Sequence, residues 1–567
     1  MSTKHFYRWS FLLAVFFAGF VSCTKNREAR PHAVIILSDS SLAVSGEQGQ
    51  YTVRIVTNTS LKVQTNVEWI KVPDSVVSDK QDTQFTFYVA VNEGKTERNG
   101  VITLEGPNGL QSALRILQKR ASGKSLFVKE DGDNNNQGLS WNNATSLENA
   151  LTHAVNGATI HIAAGIYTPA HAISGGDPAD EGDKTFHIDK NLTIIGGYPK
   201  DATEGAGSDP DKYRTVLSGE NTAYHVITIS APVSDSGENV ILEGLTITKG
   251  HSEKSNSTSI MIDGEKFVRN TGGGILIGGS HVTMEACRVI ENEGFNGGGI
   301  YATRGATLEL KQCQVNNNMA GSHTGGIYIR SGSKATMYDT EVKSNVSTSV
   351  GAGVFCYDDT EVDIYNSVIS ENESGNYGGG VYVRGNSTCN LINVVIAGNK
   401  AGGSGGGIFV YANSNLNVVS STIVENSTDG KSGGLFLRNG ENIAHIVNSI
   451  ISGNKQQDND ADVAVNTDSH PDPMISASVI GDFIFDTSWE QMIGVSFDFT
   501  TMMERLDDGT YLPTEGDYPV RKLGLSAVRL ADIGKDLGLP ETEEDILSQD
   551  ISHHSRQGLS IMGAVIE

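Results

Sequence analysis

The stretch Gly-Gly-Gly-Ile-Tyr at residues 297–301 returns as Gly-Gly-Gly-Val-Tyr at residues 378–382. The aliphatic residue that follows the glycines recurs seven times, with a first step of 25 residues and a constant step of 27 thereafter. The seven positions are Ile275, Ile300, Ile327, Val354, Val381, Ile408 and Leu435. Self-similarity at a period of this length indicates a solenoid or another array of stacked repeats.

An asparagine recurs in the same phase, and an aliphatic residue always stands three positions before it. The asparagines are Asn292, Asn318, Asn345, Asn372, Asn399, Asn426 and Asn454. Within each repeat the apolar positions lie two apart in short runs, which is the period of a strand. The sequence therefore predicts an all-β fold, a parallel β-helix with three short strands per turn.

Stacking of the turns would place each column of residues on itself, at the roughly 4.8 Å spacing of paired strands. We expect the asparagine amides to hydrogen-bond from turn to turn. The glycines meet a steric need where the chain turns tightly or takes positive φ.

Length and charge limit the remaining possibilities. A chain of 567 residues is too long for one compact core, so at least two domains are expected. The formal net charge of −25 argues against nucleic acid as a partner and against binding an anionic membrane through bulk charge.

The N-terminus carries Lys4 and Arg8, an apolar run over residues 11–21, and then Ser22-Cys23. This is the pattern of an export signal that is too short to span a membrane. Its end resembles the lipobox of bacterial lipoproteins, which implies a signal peptide at 1–22, acylation of Cys23, a tether over 23–32 and an outer-membrane location. A plain secretory signal with an incidental cysteine is the alternative, and the leaflet that the protein faces stays open.

Residues 33–120 alternate apolar and polar positions in short runs, which predicts a small β-sandwich. The order of Val67-Glu68-Trp69-Ile70, Asn92, Arg98-Asn99-Gly100 and Leu117-Gln118 resembles the BACON domain, an immunoglobulin-like module. The resemblance implies either carbohydrate binding or a spacer. Trp69 is a candidate sugar platform, although a tryptophan in an alternating strand more often belongs to the core.

Residues 125–454 are assigned to the β-helix, with a capping helix near 146–156 that Thr145 and Glu148 begin at capping-box spacing. Residues 455–567 are expected to supply last strands and a cap over the far end. The repeats and the helix together resemble pectin-lyase-like right-handed β-helix proteins, in particular the Gly-Gly-Gly-Ile-Tyr repeat proteins related to polymorphic outer-membrane proteins. That fold hosts lyases, hydrolases, adhesins and scaffolds, so the resemblance leaves function open.

Catalytic and metal-binding signals are weak. Of the four motifs of polygalacturonase-type hydrolases, this chain has only Asn-Thr-Asp-Ser at 466–469 and Asp358-Asp359, in the wrong order. We expect no metal centre or cofactor. Ca²⁺ at Asp131-Gly132-Asp133 is the alternative, although this stretch lacks the glycine and glutamate of an EF-hand loop. The repeat cysteines fall in inward columns and are expected to be buried thiols, with a Cys287–Cys313 bridge as the alternative.

Two outward columns follow the glycine corner, and they hold the candidate site. The first column is aromatic, and the second alternates arginine with tyrosine, so guanidinium groups are expected over rings on successive turns. We predict that the strip faces solvent and stacks sugar rings or pairs their carboxylates and sulfates. The candidate glycan-binding residues are Tyr301, Tyr328, Arg330, Tyr357, Tyr382, Arg384, Tyr411 and Arg438.

Three functions follow from these observations. The first is a lipid-anchored cell-envelope protein that binds or adheres to a polysaccharide or other glycan without catalysis. The second is a polysaccharide lyase or glycoside hydrolase, which rests on analogy of fold alone. The third is a structural surface stalk in which the two columns only stiffen an exposed sheet.

Overall fold

The computed structural model describes residues 33–77, 83–92, 96–120, 124–234, 237, 239–255, 258–438, 440–466, 474–476, 478–480, 483–485, 503–505 and 511–513. The chain forms two compact units, one within the first 118 residues and one that contains all of the repeats. The predicted signal peptide, the predicted acylation site Cys23 and the predicted tether lie outside the described residues.

The first unit is a sandwich of two sheets around its own apolar core. Neighbouring strands are antiparallel, except that Ser41–Val44 runs parallel to Gln111–Gln118. The four-stranded sheet contains Ile35–Leu37, Gly49–Thr57, Thr83–Val89 and Ile70–Lys71, and the five-stranded sheet contains Ser41–Val44, Gln111–Gln118, Arg98–Glu105, Leu61–Thr65 and Ser75–Val76. A 3-10 turn at Pro107–Gly109 links the last two long strands.

Trp69 packs against the core of this sandwich, and the side chain of Ile70 beside it is buried. The Cζ atom of Arg98 lies 4.4 Å from the centroid of the Trp69 ring. An arginine over the ring leaves little of that surface for a sugar, so the geometry favours a packing role for Trp69.

The second unit is a parallel β-solenoid whose three long sheets we call sheets 1, 2 and 3. Sheet 1 contains Ser125–Val128, Thr159–Ala163, Thr193–Tyr198, Val240–Glu243, His281–Glu285, Thr307–Lys311, Lys334–Tyr338, Glu361–Tyr365, Thr388–Ile392, Asn415–Val419, Ile443–Val447 and Met474–Ser476. Sheet 2 contains Gly165–Tyr167, Thr215–Ser218, Leu245–Thr248, Arg288–Ile290, Gln314–Asn316, Glu341–Lys343, Val368–Ser370, Val395–Ala397, Thr422–Val424, Ile450–Ser452 and Val479–Ile480. Sheet 3 contains Phe186–Ile188, Ile227–Ile229, Ile275–Gly278, Ile300–Thr303, Ile327–Arg330, Val354–Tyr357, Val381–Arg384, Ile408–Tyr411, Leu435–Leu437, Val463–Val465 and Phe483–Phe485. The predicted all-β parallel β-helix is confirmed.

A fourth sheet corrects the expectation of three strands per turn. Sheet 4 contains Glu293–Asn296, Met319–His323, Val346–Ser347, Glu373–Ser374, Lys400–Ala401, Ser427–Thr428, Lys455–Gln456 and Asn459–Asp460. Most of its strands have only two residues, and all except Asn459–Asp460 come directly after a repeated asparagine. Segments this short carry no alternation of apolar residues, which is why the pattern did not reveal them.

The asparagine column forms the predicted ladder inside the turn. The Nδ2 atom of Asn372 donates to Oδ1 of Asn399 at 2.9 Å, and the same bond joins every successive pair from Asn292 to Asn454. The ladder ends at Asp462, whose Oδ1 accepts from Nδ2 of Asn454 at 2.7 Å. Buried amides are therefore satisfied along the solenoid, which removes the cost of burying them.

The corners use glycine for two different reasons. Gly378 takes a φ of +65°, where an L side chain is strained. At Gly380 a Cβ atom would lie 2.7 Å from the carbonyl oxygen of Gly407 and 3.1 Å from Nδ2 of Asn399, so close approach of neighbouring turns excludes a side chain. The ladder asparagines themselves do not take positive φ. The residue directly before each one does, as at Glu371 and Gly398.

A helix covers the N-terminal end of the solenoid. It runs over Leu147–His153, and Leu147 and Leu151 join the interior core of the coils. The capping-box prediction is wrong, because Ser146 is the N-cap and accepts from the backbone N–H of Asn149 at 3.2 Å. Glu148 instead accepts from the backbone of Ala170 and His171 in the following loop.

At the other end the parallel pairing continues past the predicted limit of Asn454. Val463–Val465 and Phe483–Phe485 extend sheet 3, and Met474–Ser476 extends sheet 1. Most of the predicted cap at 455–567 lies outside the described residues. None of the helices in the described part of the chain is long and apolar enough to cross a membrane.

Candidate functional site

The second outward column of sheet 3 forms a continuous stack, which we call the arginine–tyrosine ladder: Arg330, Tyr357, Arg384, Tyr411 and Arg438. Strand register pairs Arg330 with Tyr357, Tyr357 with Arg384, and Arg384 with Tyr411. The Cζ atom of Arg384 lies 5.3 Å from the ring centroid of Tyr357 and 5.4 Å from that of Tyr411. The predicted alternation of guanidinium and ring is confirmed.

Both tyrosine rings of the ladder lie between two guanidinium groups. Tyr357 has Arg330 on one neighbouring coil at 5.4 Å and Arg384 on the other at 5.3 Å. Tyr411 likewise lies between Arg384 at 5.4 Å and Arg438 at 5.1 Å. Because the arginines occupy the ring faces, a sugar cannot stack there, and the groups left for a ligand are the N–H edges of the guanidiniums.

The first outward column corrects the sequence prediction. Tyr301, Tyr328 and Tyr382 are only 7%, 3% and 2% exposed, so the expectation that they face solvent is wrong. They point away from the interior of the solenoid but belong to a second apolar cluster on the outer side of sheet 3. Within it the rings of Phe355 and Tyr382 are stacked at 4.5 Å with 2° between their planes.

A third column covers these rings, and sequence reasoning missed it. It stands four residues before the inward aliphatic position, where sheet 4 gives way to the connection that leads to sheet 3. His323, the last residue of its sheet-4 strand, and Val350, Tyr377 and Ser404 pair there from coil to coil. The imidazole of His323 stacks on Phe355 at 6.1 Å, and the ring of Tyr377 stacks on Phe409 at 4.7 Å. The signal was present in the sequence, since Val350 and Tyr377 are apolar or aromatic at one phase of the repeat.

The buried hydroxyl groups stay protonated. Burial raises the pKa of Tyr382 to about 12, although the neighbouring Arg384 opposes the shift. Burial likewise raises the pKa of Tyr301, with Arg330 opposing it. The first column therefore carries no negative charge at neutral pH, and the arginines beside it keep their full positive charge.

The three ladder arginines differ from three nearby cations of the solenoid that form ion pairs. Arg304, Lys334 and Lys400 pair with Glu265, Glu361 and Glu373. Among the described residues no ion pair involves Arg330, Arg384 or Arg438. The Nε atom of Arg330 is buried and has no hydrogen-bond partner in this part of the chain. On a chain with a net charge of −25, the ladder is thus a local strip of uncompensated positive charge.

An insertion closes one end of the ladder. The hairpin Ser259–Ile262 and Glu265–Val268 lies over the first coils of sheet 3, where Ile260 and Phe267 join the cluster that contains Tyr301. Arg304 packs its Cζ atom 4.8 Å from the Phe267 ring. The open part of the strip therefore begins after this hairpin and runs towards the C-terminal coils.

A buried ion pair fastens the hairpin to the preceding insertion. The Nε and Nη2 atoms of Arg269 donate to the two carboxylate oxygens of Asp183 at 2.7 and 2.8 Å. The Asp183 side chain is only 2% exposed. A bidentate pair in this setting fixes both insertions in one position.

Acidic residues near the strip do not form a catalytic pair. Asp358 and Asp359 both take positive φ at the end of their strand. Their carboxylates form hydrogen bonds to different neighbouring coils. Asp358 accepts from the hydroxyl of Ser331 in the preceding coil, and Asp359 accepts from Nδ2 of Asn386 in the following coil. Paired carboxylates of a glycosidase must instead converge on one bond.

The described residues contain no cluster of three or more His, Cys, Asp or Glu side chains suited to hold a metal ion. At the candidate Ca²⁺ stretch, Oδ1 of Asp133 accepts from the backbone and side-chain nitrogens of Asn135 at 2.8 and 2.9 Å. Cys287 and Cys313 are free and buried, which agrees with the prediction of buried thiols.

Comparison with known proteins agrees with the geometry. The family described as "Right handed beta helix region" matches residues 214–324 and 316–474. The fold defined by the four sheets is therefore that of a right-handed parallel β-helix protein. No curated protein matches the sequence.

Two solved structures are similar to this chain. One is a pectate lyase, Pel9A, at 14% identity and a TM-score of 0.34, covering 68% of this chain and 86% of that one. The other is a Bacteroides ovatus GH5 xyloglucanase in complex with a XXXG heptasaccharide, at 10% identity and a TM-score of 0.15, covering 46% of this chain and 56% of that one. Scores this low carry no inference about activity.

Proposed function

We propose that this protein binds acidic polysaccharides along the outer face of sheet 3, through the three arginines of the ladder and without catalysis. The observation that carries the proposal is the set of Arg330, Arg384 and Arg438, which form no ion pair in the described chain and are held in line by tyrosine rings. An arginine fork is suited to pair with a carboxylate or sulfate.

The spacing of the arginines favours an extended ligand. They occur on every second coil, so their guanidinium groups repeat at about 9.6 Å if each coil rises about 4.8 Å. A linear polyanion lying along the solenoid axis would meet all three. A single small acid would meet one, and one exposed charge pair contributes only about 0–1 kcal/mol.

The ladder preorganises the arginines, which reduces the entropy cost of binding. A free arginine side chain loses up to about 2 kcal/mol of rotamer freedom when it is fixed. Each guanidinium here already rests on a ring, an interaction that contributes about 0.5–1 kcal/mol at exposed sites.

The cellular setting completes the proposal. We propose that acylated Cys23 anchors the protein in the outer membrane, that the N-terminal sandwich acts as a BACON-like module, and that the solenoid presents the ladder to a glycan. The support is the lipobox-like end of the N-terminal segment. Fractionation of cells tests the anchor. The wild-type protein should be found in the membrane fraction and be released by detergent, and Cys23→Ser should be lost from the membrane fraction.

The test of binding is a glycan array on residues 24–567. The wild-type chain should bind uronate-containing or sulfated polysaccharides, and the triple variant Arg330→Ala, Arg384→Ala, Arg438→Ala should lose most of the signal. The matched control is Arg304→Ala, Lys334→Ala, Lys400→Ala, which removes the same charge from residues already paired with glutamates. Equal binding by both triple variants would overturn the proposal and leave the ladder as a structural stack.

A further inference from the structure

The turn that follows each strand of sheet 3 borders the arginine–tyrosine ladder. In every coil its first two residues come directly after the ladder position, and the turns pair with one another from coil to coil. The backbone N–H of Asp358 donates to the carbonyl oxygen of Arg384 at 3.3 Å, and that of Asp359 donates to Gly385 at 2.9 Å. These two residues of each turn therefore form a continuous border along the ladder.

The charge of this border differs between coils. The structure describes both border residues in four coils of the ladder, and three of these borders carry no charge. The uncharged borders are Ser331-Gly332 beside Arg330, Gly385-Asn386 beside Arg384 and Ala412-Asn413 beside Tyr411. The fourth, beside Tyr357, consists of Asp358 and Asp359. Ladder and border together are thus positive, negative, positive and neutral over these four successive coils.

The two carboxylates beside Tyr357 are not neutralised by a cation. Asp359 is exposed and Asp358 is half-buried. Their printed hydrogen bonds come from uncharged groups, the hydroxyl of Ser331 and Nδ2 of Asn386, each at 3.2 Å. In the part of the chain that the structure describes, neither carboxylate forms an ion pair. Two negative charges therefore lie beside any group of a ligand that occupies this coil.

A polysaccharide that lies along the solenoid axis has a repeat close to that of the coils. A pyranose ring with its glycosidic oxygen is about as long as the rise of one coil, roughly 4.8 Å, so each sugar of an extended chain occupies about one coil. A chain with an acidic group on every sugar brings one of these groups to the coil of Tyr357 in any register. There it meets the carboxylates of Asp358 and Asp359, and like charges at short distance repel.

We propose that the ladder selects a polysaccharide with one acidic group on every second sugar and an uncharged sugar between. This inference rests on the proposed function and adds the distribution of charge on the ligand. In one register of such a chain, the acidic groups lie over the three ladder arginines and the uncharged sugars lie over the two ladder tyrosines. Asp358 and Asp359 disfavour the more densely charged chain, since a repulsive element placed against the wrong partner increases specificity.

The coil of Tyr411 has a neutral border and contributes less to this selection. Asn413 is exposed, and its Oδ1 accepts from the backbone N–H of Glu441 at 3.1 Å. Ala412 beside it has no polar side-chain group. Repulsion of an acidic group is therefore expected at the coil of Tyr357, so removing the two charges there should relax the selection.

Two oligosaccharides of equal length test the selection. Hyaluronan carries a carboxylate on every second sugar, and oligogalacturonate carries one on every sugar. Affinities are measured by calorimetry with residues 24–567 at a single salt concentration. We expect the wild-type chain to bind hyaluronan at least about threefold more tightly than oligogalacturonate.

The double variant Asp358→Asn, Asp359→Asn isolates the two charges. Asparagine keeps an oxygen that can accept the hydrogen bonds of both aspartates. This variant should bind oligogalacturonate about tenfold more tightly than the wild type does, and hyaluronan less than about twofold more tightly. The matched control is Asp201→Asn, Asp209→Asn, which removes the same charge from exposed residues between a strand of sheet 1 and a strand of sheet 2. It should change both affinities by less than about twofold.

The outcomes separate this inference from the proposed function. An equal gain for both oligosaccharides in the variant of Asp358 and Asp359, or no gain for oligogalacturonate, would overturn the selection. The proposed function would still stand if the triple arginine variant had lost binding. Binding of both oligosaccharides that the triple arginine variant does not weaken would overturn both. If neither oligosaccharide binds, the selection is overturned and the glycan array decides the proposed function.

Discussion

The guanidinium carbon of Arg384 lies 5.3 Å from the ring centroid of Tyr357 and 5.4 Å from that of Tyr411, one coil to either side. The cation at the centre of the ladder is thus held by two rings, and each ring is also covered on its other face by a further arginine. The arrangement turns a repeat of 27 residues into a row of fixed positive charges.

Removing one ring should release two arginines together. In Tyr357→Ala, Arg330 and Arg384 each lose a cation–π partner, and we expect affinity for an acidic polysaccharide to fall about three- to tenfold. Tyr357→Phe keeps the ring and should bind as the wild type does. Affinities measured by calorimetry check both variants, and a large loss in Tyr357→Phe would show that the hydroxyl, rather than the stack, matters.

The asparagine ladder should be sensitive at a single rung. In Asn372→Ala the backbone N–H and Nδ2 of Asn345 lose the acceptor that they now reach at 3.0 and 2.9 Å. Buried donors left without a partner should lower the free energy of unfolding by about 2–4 kcal/mol. Urea denaturation followed by circular dichroism measures this, with the exposed Glu373→Ala as control; equal midpoints for the two variants would contradict the prediction.

Stability should fall in mild acid because two buried histidines resist protonation. Burial lowers the pKa of His161 and of His225 to about 4 each. Below the pKa of about 6.5 that histidine has in the unfolded chain, the unfolded chain binds protons that the folded chain does not. The contribution of these histidines to stability is therefore fully present above that pH and is lost as the pH falls towards 4. Each unit of pKa difference corresponds to about 1.4 kcal/mol per group.

The loss should depend on these side chains. His225→Gln should show a smaller drop in urea midpoint between pH 7 and pH 5 than the wild type, and His153→Gln, at the exposed end of the helix, should behave as the wild type does. A wild-type midpoint that rises as the pH is lowered would show that the sign is wrong.

The ion pair between Arg269 and Asp183 should hold the hairpin at the end of the ladder. Arg269→Met leaves the buried Asp183 carboxylate without its cation, which typically costs about 3–5 kcal/mol. Hydrogen exchange in Ser259–Val268 should accelerate, and Asp183→Asn in the same chain should recover part of the protection. Arg288→Met removes an arginine whose partner Asp211 is exposed, so exchange of the hairpin should be unaffected.

Much of this architecture was predictable because the solenoid repeats its constraints. Apolar positions two apart gave the three long sheets, and the constant step gave the coil-to-coil register that places Arg384 between Tyr357 and Tyr411. The asparagine ladder could be predicted from the same register. An amide side chain that is buried at the same position of every repeat must find its hydrogen-bond partner in the next coil.

Exposure was harder to predict than direction. Tyr328 and Tyr382 do point outward, but a strand pattern says only which face a side chain takes and not what lies above it. The cover comes from His323, at the end of a sheet-4 strand, and from Val350 and Tyr377 in the connection that follows sheet 4, where the residues within one repeat show no periodicity.

The most direct measurement is the affinity of an acidic oligosaccharide for the wild-type chain, for Arg384→Ala and for Lys400→Ala, at two salt concentrations. We expect Arg384→Ala to bind about tenfold more weakly, a loss of about 1.4 kcal/mol, and its affinity to depend less steeply on salt. Lys400→Ala, which removes a cation already paired with Glu373, should match the wild type. Equal affinity and equal salt dependence in all three proteins would contradict the claim that the ladder arginines bind the ligand.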